Sequence, residues 1–180
     1  MKKFPELSTD RLLLRKFHIS DKGVIKDLCS ERDIAATTLS IPHPFSLEDA
    51  EKWLQNKQDD FKQGKEIAWA MCLKESNKLI GAIGMRLEPK HESAELGFWV
   101  GKPFWGNGYV SEAGEEVVHF SFNELSLYRL EAHHMLGNNA SGRVLEKLGM
   151  KYEGLHRGRI KKWNEFKDVK SYAIIKSDIS

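Results

Sequence analysis

Glu95-Leu-Gly-Phe-Trp-Val-Gly-Lys-Pro-Phe-Trp-Gly-Asn-Gly-Tyr-Val-Ser-Glu-Ala113 is the stretch of this chain that says most about its fold. A strand pattern runs into Gly106-Asn-Gly108 and then directly into a helical pattern. Glycines at such a turn let backbone N–H groups converge, and the helix start adds partial positive charge. The turn therefore predicts a phosphate or diphosphate site. The alternative is a tight turn in which glycine only permits a positive φ.

Two better-known phosphate motifs do not describe this turn. A P-loop is excluded because Gly-Lys-Ser/Thr is missing. A Rossmann turn fits poorly, because the third glycine is absent and no βαβ repeat begins the chain.

A second landmark is Asn138-Asn-Ala-Ser-Gly-Arg-Val-Leu-Glu-Lys-Leu-Gly149, which predicts a helix that ends before its last glycine. Asn and Ser at a helix start commonly cap the helix. The alternative is a functional role, because Asn138 and Ser141 would also present an amide and a hydroxyl beside the end of the preceding strand.

The composition is that of one compact domain, predicted over residues 1–180. The chain has 28 Lys plus Arg against 26 Asp plus Glu, 41% hydrophobic residues and 30% charged residues. A net charge of +2 gives no long-range reason to expect DNA as the partner. No apolar run approaches the roughly 18 residues of a membrane helix, and the N-terminus lacks the apolar stretch of a signal peptide. We therefore expect a cytoplasmic protein without a membrane partner.

The two cysteines, Cys29 and Cys72, lie in apolar patterns and show no CxxC or Cys/His spacing. Buried thiols in a reducing compartment are the expectation, in preference to a disulfide or a metal site. No metal is predicted.

Hydrophobic periodicity predicts an α/β (α+β) sheet layered with helices. The predicted strands cover residues 12–17, 67–73, 79–85, 93–100, 128–136, 150–155 and 169–175. The predicted helices start near Ser20, Ser46, Tyr109 and Asn138 or Asn139.

The order of these segments over nearly the whole chain resembles a known family. The resemblance is carried by Leu7-Ser-Thr-Asp-Arg-Leu-Leu-Leu-Arg-Lys-Phe17, Glu95-Leu-Gly-Phe-Trp-Val100, Trp105-Gly-Asn-Gly-Tyr109, Asn138-Asn-Ala-Ser141, Arg143-Val-Leu-Glu-Lys-Leu-Gly-Met150 and Phe166-Lys-Asp-Val-Lys-Ser-Tyr172. The chain resembles the GCN5-related N-acetyltransferase (GNAT) superfamily and, more narrowly, its RimJ/RimL-like, ribosomal-protein N-acetyltransferase-like branch. The resemblance implies a mixed sheet of about seven strands, flanked by about four helices, with a V-shaped splay between the fourth and fifth strands.

The resemblance also implies acetyl-CoA as the co-substrate and assigns residues to it. The diphosphate would lie on backbone amides of Trp105, Gly106, Asn107, Gly108, Tyr109 and Val110, with Ser111 opening the helix. Val110 departs from the family pattern, where Gly or Ala is commoner, and would crowd the diphosphate. Pantetheine would pair with the backbone of Phe98, Trp99 and Val100, beside a bulge at Gly97 or Gly101. Asn138 would bind pantetheine, and Ser141 would protonate the departing thiolate.

An attacking amine must lose a proton, so a base is expected. Glu95 is the candidate, acting directly or through water; the alternative is a carboxylate paired with a neighbour such as Arg129. His133 and His134 point to opposite faces of a strand, so they do not ligate one metal together. His134 as a substrate-side base is weighed against a core or surface histidine.

The function predicted is acetyl transfer from acetyl-CoA to a primary amine, by direct attack in a ternary complex. The amine is a protein N-terminus or a small molecule. The alternative is a non-catalytic CoA-binding or protein-interaction module on the same fold. For the basic stretch over residues 157–163, a solvated hairpin loop is preferred over a site for an acidic partner. The acceptor stays open, and so does the choice between monomer and homodimer.

Overall fold

The computed structural model describes residues 3–179, and the alternating patterns form one sheet with helices on both faces. In chain order the strands are β1 (Leu7–Ser8), β2 (Leu12–Arg15), β3 (Glu66–Leu73), β4 (Leu79–Glu88), β5 (Ser93–Val100), β6 (Arg129–Met135), β7 (Lys151–Lys162) and β8 (Glu165–Ile175). The α-helices are α1 (Lys22–Cys29), α2 (Arg32–Thr37), α3 (Leu47–Lys62), α4 (Tyr109–Asn123) and α5 (Asn139–Lys147).

The sheet has the order β1-β2-β3-β4-β5-β6-β8-β7, and only the β5–β6 pair is parallel. This pair is also short. Ser93–Leu96 face Arg129–Ala132, and beyond them the two strands have no paired residues. β5 continues along β4 as far as Val100, while β6 continues along β8 as far as Met135. The predicted V-shaped splay is therefore confirmed, between strands that are the fifth and sixth of this sheet.

Two hydrophobic clusters lie on the two faces of the sheet. One cluster packs α4 and α5 against the sheet through residues such as Val117 and Leu145. The other packs α1, α2 and α3 through residues such as Ile25, Ile34 and Leu54. Ser46 caps α3 in a capping box with Asp49, as its spacing predicts. The open end of the splay thus lies between two helical layers.

The structure corrects several sequence-based expectations. Residues 3–179 form eight strands rather than about seven and five α-helices rather than about four. β1 has two residues and α2 has six, too few for a periodic pattern to be recognised. The bulge expected at Gly97 or Gly101 is wrong, because the β4–β5 register runs unbroken from Gly81↔Val100 to Glu88↔Ser93.

The hairpin of β7 and β8 is longer than predicted, and the hairpin-loop interpretation of residues 157–163 is wrong. Residues 157–162 belong to β7, which is exposed and polar enough to hide its strand pattern. At the tip, Lys162 is buried and donates to the carbonyls of Thr38 (2.8 Å) and Ile41 (3.0 Å). This contact ties the hairpin to the segment that follows α2.

Candidate active site

A first cavity of about 400 Å³ occupies the splay. Its lining comes from the end of β5, the glycine turn, the start of α4, α5 and the end of α2. All the residues proposed from sequence to hold acetyl-CoA line it, except Asn107: Phe98, Trp99, Val100, Trp105, Gly106, Gly108, Tyr109, Val110, Ser111 and Asn138. The structure therefore brings together residues that are up to 40 positions apart in the sequence.

The glycine turn has the backbone conformation that its sequence predicts. Gly106 (φ +78°) and Gly108 (φ +76°) are both left-handed, and α4 begins at Tyr109, directly after Gly108. A Cβ at Gly106 would meet no other atom within 4 Å, so the turn opens into free space. The side chain of Val110 is buried in the core cluster, although it also reaches the cavity wall.

Side chains outside the turn hold its shape. Arg11 donates from its guanidinium to Asn107 O (3.2 Å) and to Glu112 (2.6 Å), and it lies 4.6 Å from the Tyr109 ring centroid. Burial works against ionisation of Glu112, but hydrogen bonds from Thr9 and Arg11 lower its pKa. Asn107 itself therefore serves as an attachment point for the turn, through its carbonyl.

The outer edge of β5 offers backbone groups to the first cavity. Gly101 N donates to Ile80 O (2.9 Å). This bond shows which residues of β5 direct their backbone groups toward β4. Because hydrogen-bonded pairs alternate along an antiparallel ladder, Trp99 turns its backbone groups toward β4, whereas Phe98 and Val100 turn theirs into the splay. Trp105 Nε1 donates to Val100 O (2.7 Å), as expected for an outward carbonyl. Phe98 N–H, Phe98 C=O and Val100 N–H thus face the cavity.

Asn138 caps α5, as the capping interpretation predicts, because its Oδ1 accepts from Ser141 N (3.2 Å). Its Nδ2 donates to Thr37 O (3.3 Å), which joins α5 to the end of α2. The hydroxyl of Ser141 makes no hydrogen bond within residues 3–179. It is therefore available at the cavity wall.

A second cavity of about 330 Å³ lies on the α1–α3 face of the sheet and contains Glu95. His133 Nδ1 lies 3.4 Å from Glu95 Oε1, an ion-pair distance without good hydrogen-bond geometry. The imidazole lowers the pKa of Glu95, and partial burial opposes that effect. Glu95, whose side chain is 39% exposed, is thus an ionised carboxylate that reaches the cavity.

The proposed pairing of Glu95 with Arg129 is not what the structure has. Arg129 binds Glu153 (2.5 and 2.8 Å) and Glu131 (3.0 Å) instead. Elsewhere in the second cavity, Lys57 binds both oxygens of Glu66 (2.6 and 2.7 Å). Glu95 thus has His133, and not Arg129, at ion-pair distance.

The two histidines of β6 lie on opposite faces, as their adjacency predicts. His133 faces Glu95, whereas His134 stacks on Tyr172 with ring centroids 5.4 Å apart. His134 is 4% exposed, and α5 covers it so closely that a Cβ at Gly142 would lie 2.9 Å from His134 Nε2. His134 reaches the second cavity only from its wall, and its role as a base stays a prediction.

The two cavities meet at a small shared set of residues, which line both: Thr37, Thr38, Phe98, Trp99 and Ser141. The two cavities therefore adjoin at these residues, beside Ser141. Such a junction suits the transfer of a group between two bound molecules.

Sequence reasoning missed several residues of this site. Thr37 and Thr38 were not predicted as site residues because α2 was not predicted. Arg143 and Lys147 bring two cations to the first cavity, one turn apart on α5, and their spacing was the available signal. His133 was not predicted as the neighbour of Glu95, because only the strand register shows which histidine faces Glu95.

Comparison with known proteins identifies the family. The sequence model of the acetyltransferase (GNAT) domain matches residues 11–151. The chain is 32% identical over 174 residues to the uncharacterized N-acetyltransferase YoaA of Bacillus subtilis, which covers 96% of this chain and 98% of YoaA. It is 28% identical to a ribosomal-protein-serine acetyltransferase of Escherichia coli, over 86% of each chain. This chain belongs to the GNAT acetyltransferase family, in its RimJ/RimL-like branch.

The fold has close counterparts among solved structures. RimL, a ribosomal L7/L12 alpha-N-protein acetyltransferase solved in complex with coenzyme A, superimposes with a TM-score of 0.88 at 19% identity, over 95% of this chain and 98% of that one. Within residues 3–179, no helix is long and apolar enough to cross a bilayer. The same residues contain no group of three or more His, Cys, Asp and Glu side chains arranged to hold a metal ion.

Proposed function

We propose that this chain transfers an acetyl group from acetyl-CoA to a primary amine, of a protein N-terminus or a small molecule, by direct attack in a ternary complex. The observation that carries the proposal is the junction of the two cavities at Phe98, Trp99 and Ser141. It lets a donor and an acceptor approach each other from two sides.

The first cavity suits an anionic, extended donor. Backbone amides of the turn and the N-terminus of α4 would bind the diphosphate, and Arg143 would add positive charge. Phe98 and Val100 would pair with the amide groups of pantetheine like an added strand. An N–H of β5 beside the thioester carbonyl would stabilise the oxyanion, and loss of such a donor costs on the order of 100-fold in rate.

The remaining roles belong to side chains. Ser141 would donate a proton to the departing thiolate, and Asn138 would exchange its bond to Thr37 for one to pantetheine. Glu95 would accept the proton of the amine, directly or through water. At pH 7 roughly one α-amine in ten is neutral, against roughly one lysine amine in 2,500. An α-amine therefore depends less on a general base than a lysine amine does.

Direct attack is favoured because no cysteine is placed to carry the acetyl group. Cys29 and Cys72 are both buried, and burial raises the pKa of Cys29 to about 12. A protonated, buried thiol is a poor nucleophile.

Two measurements test the proposal. Acetyl-CoA at about 100 times its Kd should stabilise the protein by about 2.7 kcal/mol and raise Tm by about 5–10 °C. Release of free thiol with a panel of amines then measures turnover. No Tm shift at millimolar acetyl-CoA contradicts the proposal. Binding without turnover of any amine would support the non-catalytic module instead.

A further inference from the structure

A row of three charged side chains forms part of the floor of the second cavity. Glu66 on β3, Arg86 on β4 and Glu95 on β5 are directly opposed in the sheet. Directly opposed residues project from the same face, and all three line the second cavity. The row thus places one cation between two carboxylates.

Both carboxylates have other neighbours. Lys57 binds Glu66 through both oxygens, and His133 lies 3.4 Å from Glu95. Arg86 makes no hydrogen bond or ion pair with any residue between 3 and 179, although its charge helps to lower the pKa of Glu95. The guanidinium of Arg86 is therefore free to bind a molecule in the cavity.

A second cation reinforces this charge. Arg159 lies on β7, where the register with β8 is irregular between His156 and Ile160, and it too favours the ionised form of Glu95. Arg159 is exposed and has no bonded partner in the described part of the chain. Arg86 on β4 and Arg159 on β7 therefore both contribute positive charge near Glu95.

We propose that Arg86 binds an anionic group of the acceptor, so that the preferred substrates are amines that carry a carboxylate a few ångström from the nitrogen. This inference rests on the proposed function and names the substrate class of the second cavity. A guanidinium matches a carboxylate through two parallel hydrogen bonds. With the carboxylate on Arg86, the amine is directed toward Glu95, one strand away. The carboxylate has two sources: a small amino acid, or an acidic side chain near a peptide N-terminus.

Matched acceptors test the inference. One pair is β-alanine against propylamine, which have similar basicity; the other is a short peptide beginning with aspartate against the same peptide beginning with asparagine. Thiol release measures kcat/KM for each compound. We expect at least a tenfold preference for the carboxylate in one pair, and the pair that shows it identifies the source. Arg86→Gln should bring that ratio close to one, by raising KM for the carboxylate member only.

Lys90→Gln is the control, because it removes one exposed positive charge just after β4, outside the second cavity. It should leave the preference intact. Equal rates within both pairs, or a preference that survives Arg86→Gln, would overturn the inference. If acetyl-CoA binds but no compound reacts, calorimetric titration of the same pairs into the CoA-loaded protein applies the same criterion. Turnover of the neutral amines without preference removes the inference alone, whereas absence of both acetyl-CoA binding and turnover removes the proposed function.

Discussion

The two cavities of this protein are lined by different kinds of chemical group. The first is shaped by backbone: the left-handed glycines of the turn, the start of α4 and the outward groups of Phe98 and Val100. The second is shaped by charged and titratable side chains from four strands and a helix, including Arg86, Glu95 and His133. Backbone groups serve one common donor, whereas side chains can change from one relative to another. Under the proposed function, the first cavity would bind the cofactor and the second would select the acceptor.

The largest expected effect is at the junction that both cavities share. Ser141→Ala removes the proposed acid and should lower kcat by about 100-fold, while acetyl-CoA affinity stays nearly unchanged. Steady-state rates and a calorimetric Kd measure the two quantities. Equal losses in both would make Ser141 a binding residue of the first cavity.

The next effect tests whether the first cavity depends on backbone. Gly106→Ala with Gly108→Ala places side chains at two left-handed positions, at about 1 kcal/mol each. The unliganded turn should relax away from this conformation, and because acetyl-CoA binding would have to restore it, the Kd should rise by up to about 30-fold. Gly64→Ala is the matched control, since Gly64 also has a positive φ (+70°) but lies just after α3, away from the cavity. It should cost stability without changing the Kd. An unchanged Kd in the double variant would contradict the backbone account.

Glu95→Gln probes the second cavity. Because its pKa is lowered, the carboxylate of Glu95 is ionised throughout pH 6–9 and can accept a proton over that whole range. We expect kcat/KM to fall about tenfold at pH 6 and very little at pH 9, where more of the amine is already neutral. The measurement is a pH–rate profile of both proteins. A loss that is the same at both pH values would argue that Glu95 positions the substrate rather than accepting its proton.

The lowered pKa of Glu95 also predicts how the stability of the folded protein depends on pH. A carboxylate with a depressed pKa stabilises the folded state above its unfolded pKa of about 4.3. That contribution is lost as pH falls through the lower folded value. Glu95→Gln should therefore reduce Tm more at pH 7 than at pH 3.

The smallest effect concerns the segment between the cavities. Lys162→Met leaves the carbonyls of Thr38 and Ile41 without their donor, which should raise the acceptor KM about threefold. Lys161→Met is the control, because Lys161 is exposed on the same strand. Identical kinetics for both variants would show that the hairpin tip does not support the second cavity.

The contrast between the cavities also explains what the sequence could predict. A turn conformation and a helix start depend on residues that are close in sequence. The left-handed turn at Gly106 and Gly108 and the cap at Asn138 could therefore be predicted directly from the sequence. The splay and most of the strands followed from family resemblance and periodicity. The short β1 and α2 did not, because their stability comes from tertiary packing more than from local pattern.

Contacts across the sheet were the hardest to foresee. Strand register decides that Glu95 meets His133 rather than Arg129, and that Arg86 stands between Glu66 and Glu95. A shift of one residue would reverse every face, and the sequence contains no local signal for it. The same limit hid the burial of Lys162, whose partners are more than 100 positions away.

Residue-resolved hydrogen exchange with and without acetyl-CoA measures directly whether backbone groups of the first cavity bind the donor. We expect acetyl-CoA to slow exchange at the amides of Phe98, Val100 and residues 106–111. We expect little change at Trp99, whose backbone already bonds to β4. Protection of Trp99 with no change at Phe98 and Val100, or protection confined to residues outside the first cavity, would contradict this expectation.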